Sequence, residues 1–142
     1  QSDALRKEIN SLGYEVEDCG AHELDPADDY PEIIARAARK LATDEIAGRE
    51  SRSIIAGGSG QGEAIIANKF PSVRAVVYYG NNAEIIKLSR QHNDANILSL
   101  GARFVSEDEA LKAVKLWLDT PFSNEERHLR RIEKIKKLEQ KA

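Results

Sequence analysis

The sequence is poor in sulfur-containing residues and in long apolar runs. It has one cysteine, Cys19, and no apolar stretch that approaches the ~20 residues needed to cross a membrane. A single cysteine excludes an internal disulfide framework and favours a reducing compartment, so we expect a cytoplasmic protein. The formal net charge of −3 gives no indication of general nucleic-acid binding.

Methionine is absent as well, and the chain begins with Gln1-Ser2-Asp3. A complete translation product begins with methionine. We therefore expect that an N-terminal segment precedes Gln1.

The hydrophobic periodicity predicts one α/β domain over residues 1–142. Apolar residues recur at helical spacing or alternate as in strands, in regular order along the chain. Helices are predicted over 3–12, 31–41, 63–69, 82–91, 108–118 and 124–141, and strands over 13–20, 53–56, 73–79 and 95–100. This order is typical of βαβ units around a parallel sheet with helices on both faces. Because the order opens with a helix, we expect a further strand upstream of Gln1.

A glycine-rich loop follows the strand predicted over 53–56. The loop reads Gly57-Gly58-Ser59-Gly60-Gln61-Gly62-Glu63 and leads directly into a predicted helix. Glycine permits positive φ and lets a ligand approach the peptide N–H groups closely. The start of a helix adds partial positive charge. The loop therefore favours binding of an anion.

Glu63 indicates which kind of anion the loop binds. The phosphate-binding loop of nucleotide enzymes ends in Gly-Lys-Ser/Thr, and the dinucleotide fingerprint has a glycine where Glu63 stands. A permanent carboxylate repels a bound phosphate, but it can take a proton from carbon while backbone N–H groups stabilise an enediolate oxygen. The competing interpretation is a tight turn, with Glu63 merely favourable in a first helical turn.

Two further groups are candidates for chemistry. His92-Asn93-Asp94 lies between a predicted helix and a predicted strand, and His92 can exchange protons near neutral pH. Arg127 and Arg131 share a face of the last helix and can clamp a phosphate, but taken alone this pattern favours a solvated amphipathic helix paired with a partner subunit. No metal is predicted, because His22 and His128 have no partner at metal-ligand spacing.

Several of these stretches occur together in one known family. The combination resembles the type B ribose-5-phosphate isomerase family, which also includes galactose-6-phosphate isomerase subunits. The matching stretches follow the family's order and are Gly13 to Val16, Asp29-Tyr30-Pro31, Gly57 to Glu63, Ala67-Asn68-Lys69, His92 to Asn96, Leu100 to Arg103 and Arg127 to Arg131.

The resemblance implies a fold, an assembly and a set of roles. The family has a three-layer, Rossmann-like fold with a five-stranded parallel sheet, and forms dimers or tetramers with shared active sites. It implies that residues 123–142 form a C-terminal helix that packs on a partner subunit. The family uses neither cofactor nor metal. The resemblance implies that Ser59 and the backbone of Gly58, Gly60 and Gly62 form an anion hole. It implies that His92 opens the sugar ring and that Asn93 and Tyr30 contact the sugar. It also implies that the phosphate is held by Arg103, Arg127 and Arg131.

The sequence departs from the family pattern in two places. Many members have a cysteine base at the first position of the glycine-rich loop, where this chain has Gly57, but a second branch uses a glutamate that Glu63 matches. The family's first strand ends in an Asp-His-Ala-Gly motif, which this chain does not contain. We expect that motif upstream of Gln1.

These observations predict an aldose–ketose isomerase that interconverts ribose 5-phosphate and ribulose 5-phosphate. A hexose 6-phosphate or a tetrose 4-phosphate is an alternative substrate. A non-catalytic subunit of such an enzyme and a nucleotide-binding domain are also compatible with the sequence. Nucleic-acid binding through the basic last helix is disfavoured, because the net charge is negative and no aromatic residues alternate with the arginines.

Overall fold

Three parallel strands lie between two layers of helices in the computed structural model, which describes residues 2–13 and 30–141. This confirms the predicted α/β fold. The helices are α1 (Ser2–Ser11), α2 (Tyr30–Ile46), α3 (Gln61–Ala67), α4 (Glu84–Gln91), α5 (Glu107–Asp119) and α6 (Glu126–Lys141). The strands are β1 (Ser53–Gly57), β2 (Ala75–Tyr78) and β3 (Ile97–Gly101).

The strand order is β1-β3-β2, so β3 is central within the described part of the sheet. Ser53 pairs with Ile97 and Gly57 with Gly101, while Ala75 also pairs with Ile97. All five residues of β3 are buried, as expected for a parallel strand covered on both faces. The three strands therefore begin at one edge of the sheet, the amino edge, and end at the other, the carboxyl edge.

Alternate residues of the strands supply two apolar cores on opposite faces of the sheet. Leu98 and Leu100 of β3 pack with residues of α4 and α5, with Trp117 fully buried. Ile97 of β3 and Ile55 of β1 pack on the other face with α2 and α3, including Leu41. The sheet is thus held between α4 and α5 on one side and α2 and α3 on the other.

Two predicted boundaries differ from the structure, the end of α2 by five residues and the start of β2 by two. Helix α2 continues to Ile46 instead of ending near residue 41, since the next glycine, Gly48, adopts positive φ (79°) and follows the helix end. Strand β2 spans Ala75–Tyr78 instead of 73–79. It starts late because the Arg74 backbone N–H donates to the side-chain Oδ1 of Asn96 (2.7 Å) instead of to a strand.

Some expectations fall outside the described residues. These are the strand upstream of Gln1, most of the strand predicted over 13–20 with Cys19, and His22. Within the described ranges, no helix combines the length and apolar character needed to cross a membrane.

Candidate active site

The glycine-rich loop folds at the carboxyl edge, between β1 and α3. Gly60 has φ 78°, and a Cβ there would lie 3.1 Å from both the Leu100 carbonyl carbon and Ser99 Oγ. Ser99 Oγ donates to the Gly60 carbonyl oxygen (2.8 Å). Only glycine combines this backbone conformation with such close packing, so the loop is fixed against the end of the central strand.

Glu63 lies in the first turn of α3 with its carboxyl group turned back over Gly57. Only 9% of the residue is exposed. A Cβ built on Gly57 would overlap both carboxyl oxygens and the carboxyl carbon of Glu63. The absence of a side chain at position 57 thus creates the space that the carboxylate occupies. An ordinary first-turn glutamate faces solvent, whereas this one is held inside the loop.

Arg103 brings a positive charge to the same loop. A Cβ on Gly58 would lie 3.0 Å from Arg103 Nε and 3.2 Å from its Cζ, so the guanidinium lies against the loop backbone. The segment after β3 is tied to the loop by two backbone hydrogen bonds, from Ala102 N to Gly57 O (2.7 Å) and from Arg103 N to Gly58 O (3.0 Å). The side chain of Ser59 is exposed on the same loop, and its Oγ accepts a hydrogen bond from Gln61 N (3.3 Å).

The His92-Asn93-Asp94 turn lies at the amino edge, between α4 and β3. Asp94 has φ 47°, a conformation that Asp tolerates better than most residues. Arg74 Nε donates to the carbonyl oxygens of Asn93 and Asp94, both at 3.0 Å. Arg90 Nη1 donates to Asp94 Oδ1 (2.8 Å). Two arginines therefore hold the backbone and the carboxylate of this turn.

Arg90 is almost completely buried beneath the turn. Its Nε donates to the Thr120 carbonyl oxygen (3.0 Å) and its Nη1 to the Ala95 carbonyl oxygen (2.6 Å). Burial and then the charge of Arg52 lower the pKa of Arg90, while the hydrogen bond and charge of Asp94 raise it. Since an arginine stays protonated in proteins, Asp94 is the counter-charge that makes this burial tolerable.

His128 was missed as a site candidate by the sequence interpretation. It lies in the first turn of α6, is 3% exposed, and stacks on His92 with ring centroids 4.2 Å apart and planes at 17°. Burial, the neighbouring His92 and Arg127 lower the pKa of His128. The sequence feature that could have indicated its burial is its position four residues before Ile132, which puts both residues on one helix face. Both are buried in the structure.

The other α6 candidates are exposed near this pair of histidines. Arg127 and Arg131 lie on the surface, and Arg127 Nη2 is 3.7 Å from Glu125 Oε2. The helix is attached to the amino edge at both ends. Ser123, just before it, donates from N and Oγ to the Gln91 carbonyl oxygen, and Glu139 Oε2 accepts from Ser72 N (3.1 Å).

The predicted site residues thus form two groups on one chain. The carboxyl-edge group consists of Gly58, Ser59, Gly60, Gly62, Glu63 and Arg103, and the amino-edge group of His92, Asn93, Arg127 and Arg131. The backbone of Tyr30 belongs with the first group, because α2 begins there and runs toward the amino edge. The five-residue strand β3 separates the edges by about 13 Å. The chain does not bring Glu63 and His92 together.

Comparisons with known proteins agree with the resemblance drawn from the motifs. The family model described as Ribose/Galactose Isomerase matches residues 1–135. The chain is 38% identical over 125 residues to ribose-5-phosphate isomerase B of Mycolicibacterium paratuberculosis, covering 88% of this chain and 75% of that protein. It is 37% identical over 129 residues to the Escherichia coli enzyme of the same name, covering 91% and 81%.

Solved structures give the same result. The type B ribose 5-phosphate isomerase of Trypanosoma cruzi superposes with a TM-score of 0.87 at 36% identity, covering 99% of this chain and 90% of that one. The Mycoplasma genitalium ribose-5-phosphate isomerase B with bound ribulose-5-phosphate superposes with a TM-score of 0.88 at 31% identity, covering 99% and 88%. The fold, the glycine-rich loop and the match over residues 1–135 together show that the chain belongs to the ribose/galactose isomerase family.

Proposed function

We propose that this protein interconverts ribose 5-phosphate and ribulose 5-phosphate through an enediolate, with Glu63 as the base. The observation that carries the proposal is the Glu63 carboxyl group, buried over Gly57 inside the glycine-rich loop. A carboxylate held there can take a proton from a carbon atom while neighbouring N–H groups stabilise the oxygen that becomes negative.

The proposed reaction moves one proton between neighbouring carbons. In the open-chain aldose, Glu63 removes the proton from C2, and the electron pair of that C–H bond forms the C1–C2 double bond of the enediolate. The carbonyl oxygen on C1 takes up negative charge near the backbone of Gly58, Gly60 and Gly62 and the hydroxyl of Ser59. The proton then returns from Glu63 to C1, and the hydroxyl proton on the C2 oxygen moves to the negative C1 oxygen, which leaves a ketone at C2 and a hydroxyl at C1. No electrons are gained or lost overall.

His92 is assigned the opening of the furanose ring, which requires a proton at the ring oxygen and loss of one from the C1 hydroxyl. Asn93 and Tyr30 are assigned to the sugar hydroxyls, and Arg103, Arg127 and Arg131 to the phosphate. A pair of arginines four residues apart on a helix presents two planar guanidinium groups to phosphate oxygens. One anionic sugar must therefore contact both groups of residues.

The topology supports a site shared between two copies of the chain. A general acid or base acts at about 3 Å from its target, whereas the carboxyl-edge and amino-edge groups lie at opposite ends of β3. A second copy placing its amino edge over the first copy's carboxyl edge brings Glu63 and His92 to the same sugar. We therefore propose a homodimer or homotetramer, in the cytoplasm, with His92, Asn93, Arg127 and Arg131 contributed by the partner subunit.

Helix α6 has an apolar surface suited to this assembly. Leu129, Ile135 and Leu138 are 47%, 44% and 67% exposed, and they recur at helical spacing with the buried Ile132. An apolar surface of this kind is typical of a subunit interface. It supports the proposal that residues 123–142 pack on the partner.

The Glu63→Gln variant of the full-length protein tests the base. We expect the turnover of ribose 5-phosphate to fall by about 10²–10⁴-fold, the usual contribution of a general base, with little change in KM or in melting temperature. The matched control is Glu107→Gln, which removes an exposed glutamate from the first turn of α5. If both variants kept wild-type turnover, Glu63 would not be the base.

The identity of the sugar is tested by comparing kcat/KM for a tetrose 4-phosphate, ribose 5-phosphate and a hexose 6-phosphate. We expect the pentose to be preferred. Activity confined to the hexose or the tetrose would keep the chemistry and change the substrate. A protein that binds sugar phosphates but turns over none of them would be a non-catalytic subunit.

A further inference from the structure

The stacked pair of histidines at the amino edge has one member with no role in the proposed reaction. His92 is half-buried and is the group assigned to ring opening. His128 lies behind it, 3% exposed, on a different helix. A role for His128 in the reaction rests on the proposed function of His92.

The backbone of His92 is fixed, but the backbone alone does not determine the side-chain torsions that set the plane of the ring. His92 follows α4 directly, and its N–H donates to the Leu88 carbonyl oxygen (2.9 Å). The second side-chain torsion of a histidine is broad, so a fixed backbone alone does not set the plane of the ring. The ring of His128, 4.2 Å away and nearly parallel, restricts that plane.

His128 is itself held firmly enough to serve as a support. The segment before α6 is bonded to α4, since Ser123 N and Oγ donate to the Gln91 carbonyl oxygen at 3.2 and 2.7 Å. The Nε2 atom of His128 lies 3.2 Å from Glu125 Oε2, but the geometry is not that of a hydrogen bond, and Nε2 has no hydrogen-bond partner among the described residues. Packing rather than hydrogen bonding therefore positions this ring.

We propose that His128 is a positioning residue for the isomerase reaction, whose buried flat ring holds the imidazole of His92 in the plane that directs a ring nitrogen at the sugar. His128 does not touch the substrate in this role. Burial and the charges of His92 and Arg127 lower the pKa of His128. A lower pKa favours the neutral form of the supporting ring.

The test compares two buried replacements of similar size in the full-length, assembled protein. His128→Phe keeps a flat ring and removes both nitrogens, whereas His128→Leu fills the space without a flat ring. We expect His128→Phe to retain turnover within about threefold of wild type. We expect His128→Leu to lose roughly tenfold or more in kcat with KM changed less than twofold, since misplacement of a reacting group by 1 Å costs up to about 10²-fold.

Three outcomes would overturn the inference. Wild-type kcat in His128→Leu would show that the ring is unnecessary, and equal losses in both variants would show that an imidazole nitrogen of His128 acts directly. A loss confined to KM would place His128 in substrate binding. Melting temperature and oligomer size are measured for each variant, and His128→Met replaces His128→Leu if the latter does not fold, because methionine adapts to irregular spaces.

Failure of the inference is distinguishable from failure of the proposed function. If wild-type protein does not isomerise ribose 5-phosphate, the proposed function fails before any variant is measured. If wild-type protein is active and His128→Leu is equally active, only the role of His128 fails.

Discussion

At the scale of single residues, the glycine at position 57 and the buried carboxyl group of Glu63 depend on each other. The carboxyl group of Glu63 occupies the space that any side chain at position 57 would need. The resemblance implies a cysteine base at the first loop position in many other members, and the carboxyl group of Glu63, the proposed base of this chain, lies where a side chain at that position would begin. The residue type at position 57 thus determines whether Glu63 fits.

The variant Gly57→Ala tests this pairing. We expect the added methyl group to displace the Glu63 carboxyl group, which is the flexible end of a side chain, and to lower turnover by about 10²-fold or more, as loss of a general base does. The melting temperature should change little, because the rest of the loop is not touched.

The double variant Gly57→Ala with Glu63→Gln supplies the control. If the methyl group acts only by displacing Glu63, the double variant has the same turnover as Glu63→Gln alone, because the two changes remove one interaction. Losses that multiply would contradict the pairing, as would wild-type turnover in Gly57→Ala.

The sequence made Glu63 a site candidate but not His128, for a physical reason. A glutamate at the end of a four-glycine loop is a local pattern, and loop and carboxylate are neighbours along the chain. His128 meets His92 across 36 positions, so only the folded chain brings them together. Its burial could have been inferred from its spacing to Ile132, but its partner could not.

The turn between α4 and β3 shows how the elements of the fold hold a reactive side chain. His92 and Asn93 lie on a turn whose carbonyl oxygens accept from Arg74 and whose carboxylate, Asp94, accepts from the buried Arg90. Asn96 accepts from Arg74 N and donates to the Ser72 carbonyl oxygen (2.8 Å), which ties the start of β2 to the start of β3. The turn is therefore a fixed part of the sheet edge.

Asp94→Asn should loosen this turn without changing its backbone conformation. Asparagine tolerates positive φ as Asp does, but the variant leaves the buried Arg90 without its counter-charge. Loss of a fully buried charge partner costs about 3–5 kcal/mol. Because the Asp94 side chain is 38% exposed, we expect a loss of about 1–2 kcal/mol in the free energy of unfolding, with a lower melting temperature and lower kcat.

The control for Asp94→Asn is Asp119→Asn, the same change at an exposed residue that ends α5. It should alter stability by less than about 0.5 kcal/mol, as surface substitutions do. Chemical denaturation of both variants checks the difference. Equal stabilities would show that Asp94 does not stabilise the buried Arg90.

The boundaries of elements were the part of the fold that the sequence predicted less well. Helix α2 passes through Ala42 and Thr43 to Ile46 because no glycine or proline stops it earlier, although the apolar pattern weakens after Leu41. The order of helices and strands over the described residues was predicted correctly. Alternation of apolar positions fixes the type of an element, whereas side-chain hydrogen bonds such as that from Arg74 N to Asn96 decide where it begins.

The arrangement of the whole molecule separates residues that the proposed reaction requires. Ligands of open α/β sheets bind at the carboxyl ends of strands, and the glycine-rich loop, Glu63 and Arg103 follow that rule. His92 and the α6 arginines do not, because they lie at the amino edge. The sequence alone did not reveal this separation, since it depends on which end of each strand a loop joins.

A shared site makes a specific prediction about mixed oligomers. In a dimer of Glu63→Gln with His92→Gln chains, one site contains both defects and the other contains intact Glu63 from one chain and intact His92 from its partner. Two variants that are each inactive alone should therefore restore about a quarter of wild-type activity when coexpressed in equal amounts, since half of the dimers are mixed and each has one intact site.

The reverse mixture supplies the control. A chain carrying both Glu63→Gln and His92→Gln, coexpressed with an equal amount of wild-type chain, has no intact site in the mixed dimer if the sites are shared. Activity should then fall to about a quarter of that of wild-type chains alone, whereas sites contained within one chain would leave about half. Activity near half in this mixture, together with no restoration in the first, would show that Glu63 and His92 of the same chain form one site and would overturn the shared site, which is proposed because a single copy of the chain keeps them at opposite ends of β3.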